Sequence, residues 1–221
     1  MNRIAVVDFG TGNLRSVHKA IEHVAHDAEV VVTGEPSRIS RADRVVFPGQ
    51  GAIGTCIEAL VQTGLRDALL EAIANKPFLG ICLGLQALYT SSEEGGGTEC
   101  LGILAGEVQH LNHVNGAWNE FHDQVSGLRL KIPHMGWNTV TQTRPHPLWN
   151  GIAQDERFYF VHSYCALGSN PGEIYGTCEY GRRFTAAGGR RNMFAVQFHP
   201  EKSQHAGLTL LRNFAGWDGG A

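Results

Sequence analysis

The stretch "PFLGICLGLQAL", Pro77 to Leu88, places a cysteine between two glycines where an apolar run meets a helical pattern. The run "PFLGI" predicts a buried strand, and "LGLQALYTSS" predicts a helix that begins directly after Cys82. Gly80 and Gly84 suit an elbow that exposes a nucleophile at a strand end, because side chains there would clash in the turn. The positive end of the following helix would stabilise a negative charge on the sulfur. The alternative is a small core residue, since free cysteine is often buried, and this stretch alone does not decide between the two.

Alternating strands and helices around this elbow predict an α/β fold with a largely parallel central sheet flanked by helices. Apolar residues three and four apart predict one helix from Leu14 to Val24 and another from Cys56 to Leu69. The second half reads as short strands and turns, which predict additional antiparallel strands, and "AGLTLLRNFAGW" predicts a closing helix. Because no linker or repeat interrupts the chain, we expect a single domain over residues 1–221. The other predicted strands are "RIAVVDF", "EVVVTG", "DRVVFPG", "EVQHLNHV", "LRLKIPH", "NTVTQT", "RFYFVHSYCAL", "EIYGTCEYG", "RRFTAAGG" and "NMFAVQFHP", and the predicted exposed loops are "EEGGGTE" and "NHVNGAWNEFHDQVSG".

Composition excludes several classes of function. The 221 residues are 43% hydrophobic and 18% charged with a formal net charge of -3, so we expect a packed core and neither nucleic acid nor a membrane as partner. Five cysteines without a C-x-x-C pair suit reduced thiols and a cytoplasmic location. The pairs His23/His26 and His110/His113 lack further ligands at familiar spacing, so we expect no metal. We also expect no cofactor, since Arg15 stands where a dinucleotide-binding loop needs its third glycine.

A second motif, "VQFHPE", supplies a base for a cysteine nucleophile. Apolar residues alternate with Gln197 as in a strand. His199 follows the end of this strand, and Pro200 prevents the strand from continuing. Glu201 is close enough in sequence to accept a hydrogen bond from the imidazole and fix its tautomer, which completes the order Cys–His–Glu. His162 in "FVHSY" is a rival base near another strand end. The non-catalytic alternative is a surface His-Pro turn with a solvated glutamate.

The third motif is "FPGQGA", where a predicted strand ends in flexible backbone. The backbone N–H groups of Gly49, Gln50 and Gly51, together with that of Leu83, would stabilise a tetrahedral oxyanion. A simple loop is the alternative. All three motifs follow predicted strands, and the carboxyl ends of parallel strands meet at one edge of a sheet. We therefore expect the sulfur of Cys82, the His-Glu pair and the oxyanion donors to lie together.

Together these motifs resemble the class I glutamine amidotransferases. The resemblance rests on "GICLGLQ" for the nucleophile, "PGQGA" for the oxyanion strand and "VQFHPEKS" for the histidine and glutamate. It narrows to the glutaminase subunits of imidazole glycerol phosphate synthases, which belong to histidine biosynthesis, and it covers nearly the whole chain. The segments that carry this narrower resemblance are "DFGTGNLRSV", "SSEEG", "PHMGWN", "FYFVHSY" and "HPEKSQHAGLTLLRNF".

The resemblance implies a covalent route from glutamine to ammonia. Cys82 would attack the side-chain amide and form a thioester, His199 would protonate the departing ammonia and activate the hydrolytic water, and Glu201 would orient the imidazole. Oxyanion stabilisation carries much of the barrier because an amide is a poor electrophile. By the same resemblance, glutamine is held by four residues, the last two through their backbone: Gln86, Glu94, Ser163 and Tyr164.

A partner follows from the chemistry of ammonia, which is mostly protonated in neutral water and then cannot attack. The chain ends soon after its last predicted helix, so we expect the acceptor site to lie on another polypeptide, reached through a sheltered passage. By resemblance this is a cyclase subunit with a (β/α)₈ barrel in a heterodimer, which makes imidazole glycerol phosphate and an aminoimidazole carboxamide ribotide. Trp137 is the expected anchor of the interface, and its alternative is a core tryptophan. The expected contact residues are Pro133, His134, Met135, Gly136, Trp137, Asn138 and Lys202.

Two features depart from the family pattern. The segment His110–Gly127 is longer than usual, and Gln50 stands where a small apolar residue is common. Three other functions share some of the motifs: a glutaminase subunit of another amidotransferase complex, a free-standing γ-glutamyl cysteine hydrolase, and a non-enzymatic interaction module. The presence of all three triad residues argues against the last of these.

Overall fold

The computed structural model of the chain describes residues 2–10, 12–114, 117–118, 121–123 and 125–220. The helices are α1 (Leu14–Val24), α2 (Pro36–Arg41), α3 (Ile53–Gln62), α4 (Leu65–Asn75), α5 (Leu83–Gln86) and α6 (Gln204–Gly216). The strands are β1 (Asn2–Val7), β2 (Ala28–Thr33), β3 (Arg44–Gly49), β4 (Phe78–Cys82), β5 (Ser91–Ser92), β6 (Thr98–Glu99), β7 (Gly106–His110), β8 (His113–Val114), β9 (Ala117–Trp118), β10 (His134–Gln142), β11 (Glu156–His162), β12 (Tyr164–Gly168), β13 (Ile174–Glu179), β14 (Arg183–Arg190) and β15 (Met193–Val196).

Five parallel strands form the centre of the main sheet, in the order β2-β1-β3-β4-β15. β14 then pairs antiparallel with β15, and the sheet continues through β12 and β7 to β5 and β6. From β14 a branch leads through β13 to an antiparallel ribbon of β10 and β11. The prediction of a largely parallel sheet with antiparallel strands in the second half is confirmed.

The central strands form because their sequences are apolar on both faces. Along β1, Ile4 and Val6 enter one buried cluster while Ala5 and Val7 enter a second, so the sheet separates two cores. Parallel strands covered by helices on both faces characteristically read as such continuous apolar runs. The described helices include none that is both long enough and apolar enough to cross a lipid bilayer.

Several predicted elements differ from the structure. The helix predicted from Cys56 to Leu69 is two helices, because Gly64 takes a left-handed conformation (φ 71°) between α3 and α4. The helix predicted after Cys82 ends at Gln86, since the backbone of Thr90 pairs with Gly106 and Cys100 in the neighbouring strand region.

Two further differences concern short segments. The strand predicted at "LRLKIPH" is absent apart from one bridge between His122 and Arg129, and β10 begins only at His134. Helix α2 was not predicted; its six residues begin with Pro36, which is well suited to a first helical position.

The long segment His110–Gly127 lies partly outside the described residues, namely at 115–116, 119–120 and 124. Its described part includes the two-stranded pair β8–β9: β8 lies at the end of the predicted strand "EVQHLNHV", and β9 lies where the sequence predicts an exposed loop. Glu93 holds the start of the segment, accepting hydrogen bonds from the backbone N–H of His110 and pairing with the ring of His113.

The carboxyl ends of the central strands are adjacent. Gly49 at the end of β3 lies beside Cys82 at the end of β4, and Ile81 lies beside Val196 at the end of β15. The loops that follow these three strands therefore leave the same edge of the sheet, as the sequence predicts.

Candidate active site

Cys82 lies at a sharp turn between β4 and α5. Its backbone has φ 56° and ψ −106°, a left-handed conformation that is strained for any residue with a side chain. A Cβ at Gly84 would lie 1.9 Å from the carbonyl oxygen of Phe47, and one at Gly80 would lie 2.9 Å from the Cβ of Ala195. The two glycines therefore allow the close approach that the elbow requires.

His199 and Glu201 form a buried pair beyond the end of β15. The backbone N–H of His199 donates to the carbonyl of Tyr159 at 2.9 Å, which fixes the chain after the strand. A 3₁₀ turn, Pro200–Lys202, brings Glu201 back so that its Oε1 lies 2.8 Å from Nδ1 of His199. The side chain of Glu201 is only 1% exposed, so this ion pair is shielded from solvent. The other side of the imidazole is left for the cavity that it shares with Cys82.

The charge of His199 reflects this environment. Burial disfavours a charged ring, but the nearby sulfur of Cys82, followed by the hydrogen bond and charge of Glu201, outweighs burial and raises the pKa of His199 well above its usual 6.5. The imidazole is therefore held as a cation in the cavity that it shares with Cys82, and a cationic imidazole beside a cysteine is the arrangement of an activated cysteine nucleophile.

This raised pKa predicts a pH-dependent contribution to stability. The folded state binds the His199 proton more tightly than the unfolded chain, so the stabilisation is complete below pH 6.5 and is lost as the pH rises through the raised pKa. We expect the melting temperature of the wild type to fall more steeply above pH 6.5 than that of Glu201→Gln, in which the ring has lost its carboxylate. Melting curves at a series of pH values test this, and parallel slopes for the two proteins would contradict it.

A cavity of about 600 Å³ opens at this edge of the sheet. It brings together most of the residues that the sequence singles out for catalysis, oxyanion binding and glutamine binding. Gly49 lies at the end of β3 beside Cys82 and does not line the cavity, and Glu201 lies behind His199. The lining residues are Gln50, Gly51, Ala52, Thr55, Cys82, Leu83, Gln86, Glu94, Pro133, Val161, His162, Ser163, Tyr164 and His199.

Two polar side chains at the cavity are held by defined partners. Gln86, on α5, donates from Nε2 to the backbone carbonyl of Tyr164 at 2.8 Å. Oε2 of Glu94 accepts from the backbone N–H of Ile53 at 2.9 Å, which ties the carboxylate to the start of α3. Since α3 begins at Ile53, two residues after Gly51, this bond joins the Glu94 loop to the expected oxyanion segment.

Gln197 belongs to the site but was missed as a site residue by sequence reasoning. Its side chain is fully buried, with Nε2 3.7 Å from the sulfur of Cys82, and its Oε1 accepts from Nε2 of Gln86 at 3.1 Å. The available signal is a polar residue between the apolar Val196 and Phe198 in a buried segment. A buried amide there requires hydrogen-bond partners, which the nucleophile and Gln86 provide.

Part of the expected interface forms an exposed face on the β10–β11 ribbon. Met135 is 62% exposed and Trp137 is 36% exposed, which argues against the alternative of a core tryptophan. The Trp137 ring packs edge-on against Tyr159 with centroids 6.2 Å apart, and the ammonium of the exposed Lys202 lies 5.8 Å from the Tyr159 centroid. Met135, Trp137, Tyr159 and Lys202 are called the ribbon face below.

Other expected interface residues are placed differently. His134 is 3% exposed and stacks on Tyr180 with centroids 3.9 Å apart, so strand alternation turns its side chain inward and away from the ribbon face. Gly136 and Asn138 share this alternation and are only partly exposed, while Pro133 is exposed at the rim of the cavity.

The rival base, His162, is buried and differs electrostatically from His199. Burial, with the nearby charges of His134 and His199, lowers the pKa of His162 to about 3 despite its hydrogen bond to the carbonyl of Tyr164. A neutral ring whose Nδ1 is held by a carbonyl is poorly suited to carry a proton in catalysis. Within the described part of the chain, no group of three or more His, Cys, Asp or Glu side chains is arranged to hold a metal ion.

Solved structures of low sequence identity share this fold. The structure of PurLQS from Thermotoga maritima matches 97% of this chain and 98% of its own with a TM-score of 0.71 and 16% identity. The crystal structure of a glutamine amidotransferase matches 97% of this chain and 99% of its own with a TM-score of 0.65 and 16% identity. At these identities the likeness concerns the fold alone.

Sequence comparisons are more specific. The profile of the family "Glutamine amidotransferase class-I" matches residues 5–216. The "Imidazole glycerol phosphate synthase subunit HisH" of Thiobacillus denitrificans is 57% identical over 98% of this chain and 92% of its own, and that of Nitrosomonas europaea is 54% identical over 98% and 99%. The chain belongs to the class I glutamine amidotransferases and, within them, to the family of the HisH subunits.

Proposed function

We propose that this chain is the glutaminase subunit of an imidazole glycerol phosphate synthase, which hydrolyses glutamine and passes ammonia to a cyclase subunit for histidine biosynthesis. The observation that carries the chemistry is the pairing of a strained, cavity-facing Cys82 with the buried ion pair of His199 and Glu201. The extensive identity to HisH subunits supports the assignment to this synthase.

Cys82 is the proposed nucleophile. Its thiolate sulfur forms a bond to the carbonyl carbon of the glutamine side chain, and the electron pair of the carbonyl moves to oxygen. The backbone N–H groups of residues 49–51 and 83 are the proposed donors to that oxyanion. When the intermediate collapses, the C–N bond breaks and His199 gives its proton to the departing nitrogen, which leaves as ammonia. The product at this stage is a thioester on Cys82.

Hydrolysis of the thioester uses the same groups in reverse. The now neutral His199 takes a proton from water while the water oxygen bonds to the acyl carbon, and the C–S bond breaks to give glutamate and a thiolate. Glu201 accepts a hydrogen bond from Nδ1–H throughout, so that the opposite nitrogen of the ring remains on the side of the cavity.

Four residues are proposed to hold the glutamine. The carboxylate of Glu94 suits the ammonium group of the amino acid, and the backbone at Ser163 and Tyr164 suits its carboxylate and polar hydrogens. Gln86 is fixed beside them through the carbonyl of Tyr164 and the amide of Gln197. All four residues border the same cavity, which supports this assignment.

The ribbon face is the proposed contact with a cyclase subunit of (β/α)₈ barrel fold. It combines two aromatic residues, an exposed methionine and a cation, and Pro133, which directly precedes its strand β10, lines the cavity. Rigid aromatic residues of this kind often contribute most to binding energy. We further propose that the chain is a single domain and works in the cytoplasm, where its five free cysteines would stay reduced.

The function is tested by measuring glutamate and ammonia release from glutamine by the chain alone, with a cyclase subunit, and with that subunit loaded with its phosphorylated ligand. We expect slow hydrolysis alone and faster hydrolysis in the loaded complex. Equal turnover in all three would contradict the dependence on the partner. Failure of a barrel-type cyclase subunit to copurify with the chain would contradict membership of this synthase.

A further inference from the structure

Two buried histidines that the mechanism does not use lie next to the backbone that is proposed to bind glutamine, and one of them, His162, also lines the cavity. His134, from "PHMGWN", and His162, from "FVHSY", are 3% and 6% exposed. Nδ1 of His134 lies 3.0 Å from Nε2 of His162, and Nδ1 of His162 lies 2.9 Å from the carbonyl oxygen of Tyr164. A buried polar pair of this kind is costly unless each nitrogen has a suitable partner.

The partners determine where each ring carries its proton. A carbonyl oxygen only accepts, so Nδ1 of His162 must donate to Tyr164. Burial lowers the pKa of His162 to about 3 and that of His134 to about 4, so both rings are neutral at pH 7 and each has one N–H. Nε2 of His162 is therefore an acceptor, and Nδ1 of His134 donates to it.

The same logic adds a third residue, Asn138, to this chain of hydrogen bonds. With its proton on Nδ1, His134 presents Nε2 as an acceptor, and Nδ2 of Asn138 lies 3.3 Å away as the donor. The amide of Asn138 is oriented by its other contacts: Nδ2 donates to the carbonyl of Glu179 at 2.9 Å, and Oδ1 accepts from the backbone N–H of Thr139 at 2.8 Å. The hydrogen bonds therefore run in one direction, from Asn138 to the carbonyl of Tyr164.

Aromatic packing holds the rings of His134 and His162, in the middle of this hydrogen-bond chain, in place. The His134 ring is nearly parallel to Tyr180 at 18° and to Phe160 at 20°, with centroid distances of 3.9 and 4.8 Å. The ring of His162 packs edge-on against Phe184 with centroids 5.1 Å apart. Rings fixed in this way can position a hydrogen-bond partner accurately because they have little freedom to rotate.

The hydrogen-bond chain ends at the backbone carbonyl of Tyr164, which belongs to the proposed glutamine site. The carbonyl of Tyr164 accepts from His162 and also from Nε2 of Gln86, and Tyr164 lines the cavity. We propose that Asn138, His134 and His162 are positioning residues, which form a directional hydrogen-bond chain that fixes the Tyr164 backbone and Gln86 for glutamine binding. This inference rests on the proposed function, and it gives the histidines of both motifs a role that is neither in the interface nor in proton transfer.

The central test is His134→Phe, measured in the complex with a cyclase subunit. Phenylalanine keeps the ring between Tyr180 and Phe160 but neither donates nor accepts, so Nε2 of His162 loses its buried donor. We expect the KM for glutamine to rise roughly three- to tenfold, the effect of losing one hydrogen bond, with kcat changed less than about twofold. In His134→Asn, the amide nitrogen of asparagine would lie near the position of Nδ1 and donate to Nε2 of His162. We therefore expect this variant to have a KM for glutamine close to that of the wild type.

A matched control separates positioning from general loss of stability. His146 is also a buried histidine among aromatic rings, and it accepts one hydrogen bond from the backbone N–H of Leu148 away from the cavity. We expect His146→Phe to lower the melting temperature without changing the KM. A KM that rises equally in both variants, or that stays at the wild-type value in His134→Phe, overturns the proposal.

Two further measurements keep the result interpretable. If the hydrogen-bond chain acts as a unit, the double variant of Asn138→Ala and His134→Phe should have nearly the same KM as His134→Phe alone. If the two residues act independently, the fold-changes in KM of the single variants should multiply in the double variant.

Nitrogen-15 spectra of the histidine rings should show both rings neutral at pH 7 with the proton on Nδ1. A proton on Nε2 of His162 would refute the hydrogen-bond chain without any activity assay. Failure of the wild type to hydrolyse glutamine would instead refute the proposed function, and the spectra would still test the hydrogen-bond chain.

Discussion

Replacing Cys82 with alanine should reduce glutamine hydrolysis by on the order of 10⁴-fold or more, because no other group can form the thioester. The structure makes this residue distinctive among the five cysteines. Cys82 faces the cavity beside a cationic imidazole, whereas burial raises the pKa of each of the other four thiols. Those thiols stay protonated at neutral pH and are weak nucleophiles.

The control for this experiment is Cys56→Ala. Cys56 lies in α3, is buried, and has a pKa raised to about 12, so its replacement removes a similar volume without touching the cavity. We expect this variant to keep nearly full activity and to react with an electrophilic glutamine analogue at Cys82, as seen by peptide mass spectrometry. Glutamine hydrolysis by Cys82→Ala, or labelling of Cys82→Ala by the glutamine analogue, would contradict the thioester route.

The elbow could be predicted from sequence because its requirements are local. Gly80 and Gly84 flank Cys82 in a strand-to-helix turn of five residues, and a Cβ at Gly80 would lie 2.9 Å from the carbonyl oxygen of Gly84 within that turn. The contact of a Cβ at Gly84 with Phe47, on the neighbouring strand, is not visible in the sequence. That His199 and Cys82 line one cavity was predictable for a different reason: Cys82 ends β4 and His199 follows β15, and these parallel strands bring their carboxyl ends together.

What could not be predicted depends on which way side chains point and where helices end. His134 and Trp137 lie in one motif, yet one is buried against Tyr180 and the other is exposed, because their strand presents alternate residues to opposite faces. The register of that strand is set by its pairing with β11, which no local pattern specifies. Gln197 was missed likewise, since only the folded chain brings its amide to Cys82 and Gln86.

Glu201→Gln should lower kcat by about 10²- to 10⁴-fold, since a neutral amide can neither stabilise the imidazolium nor secure its tautomer as a carboxylate does. Oε1 of Glu201 accepts from Nδ1 of His199 at 2.8 Å, while Oε2 is buried and has no hydrogen-bond partner among the residues that the structure describes. The carboxylate is therefore oriented mainly by the histidine. A glutamine in its place would leave a buried N–H₂ group without an acceptor and would favour the neutral ring.

Glu173→Gln is the matched control, because Glu173 is also a buried glutamate but lies away from the cavity. Its Oε2 accepts from the backbone N–H of Ala105 at 3.0 Å and its Oε1 lies 3.7 Å from Arg190. We expect this control to lose stability and retain kcat, whereas Glu201→Gln should lose kcat while its KM for glutamine changes little, since Glu201 does not line the cavity. A Glu201→Gln enzyme within about tenfold of wild-type kcat would show that His199 needs no carboxylate to transfer its proton.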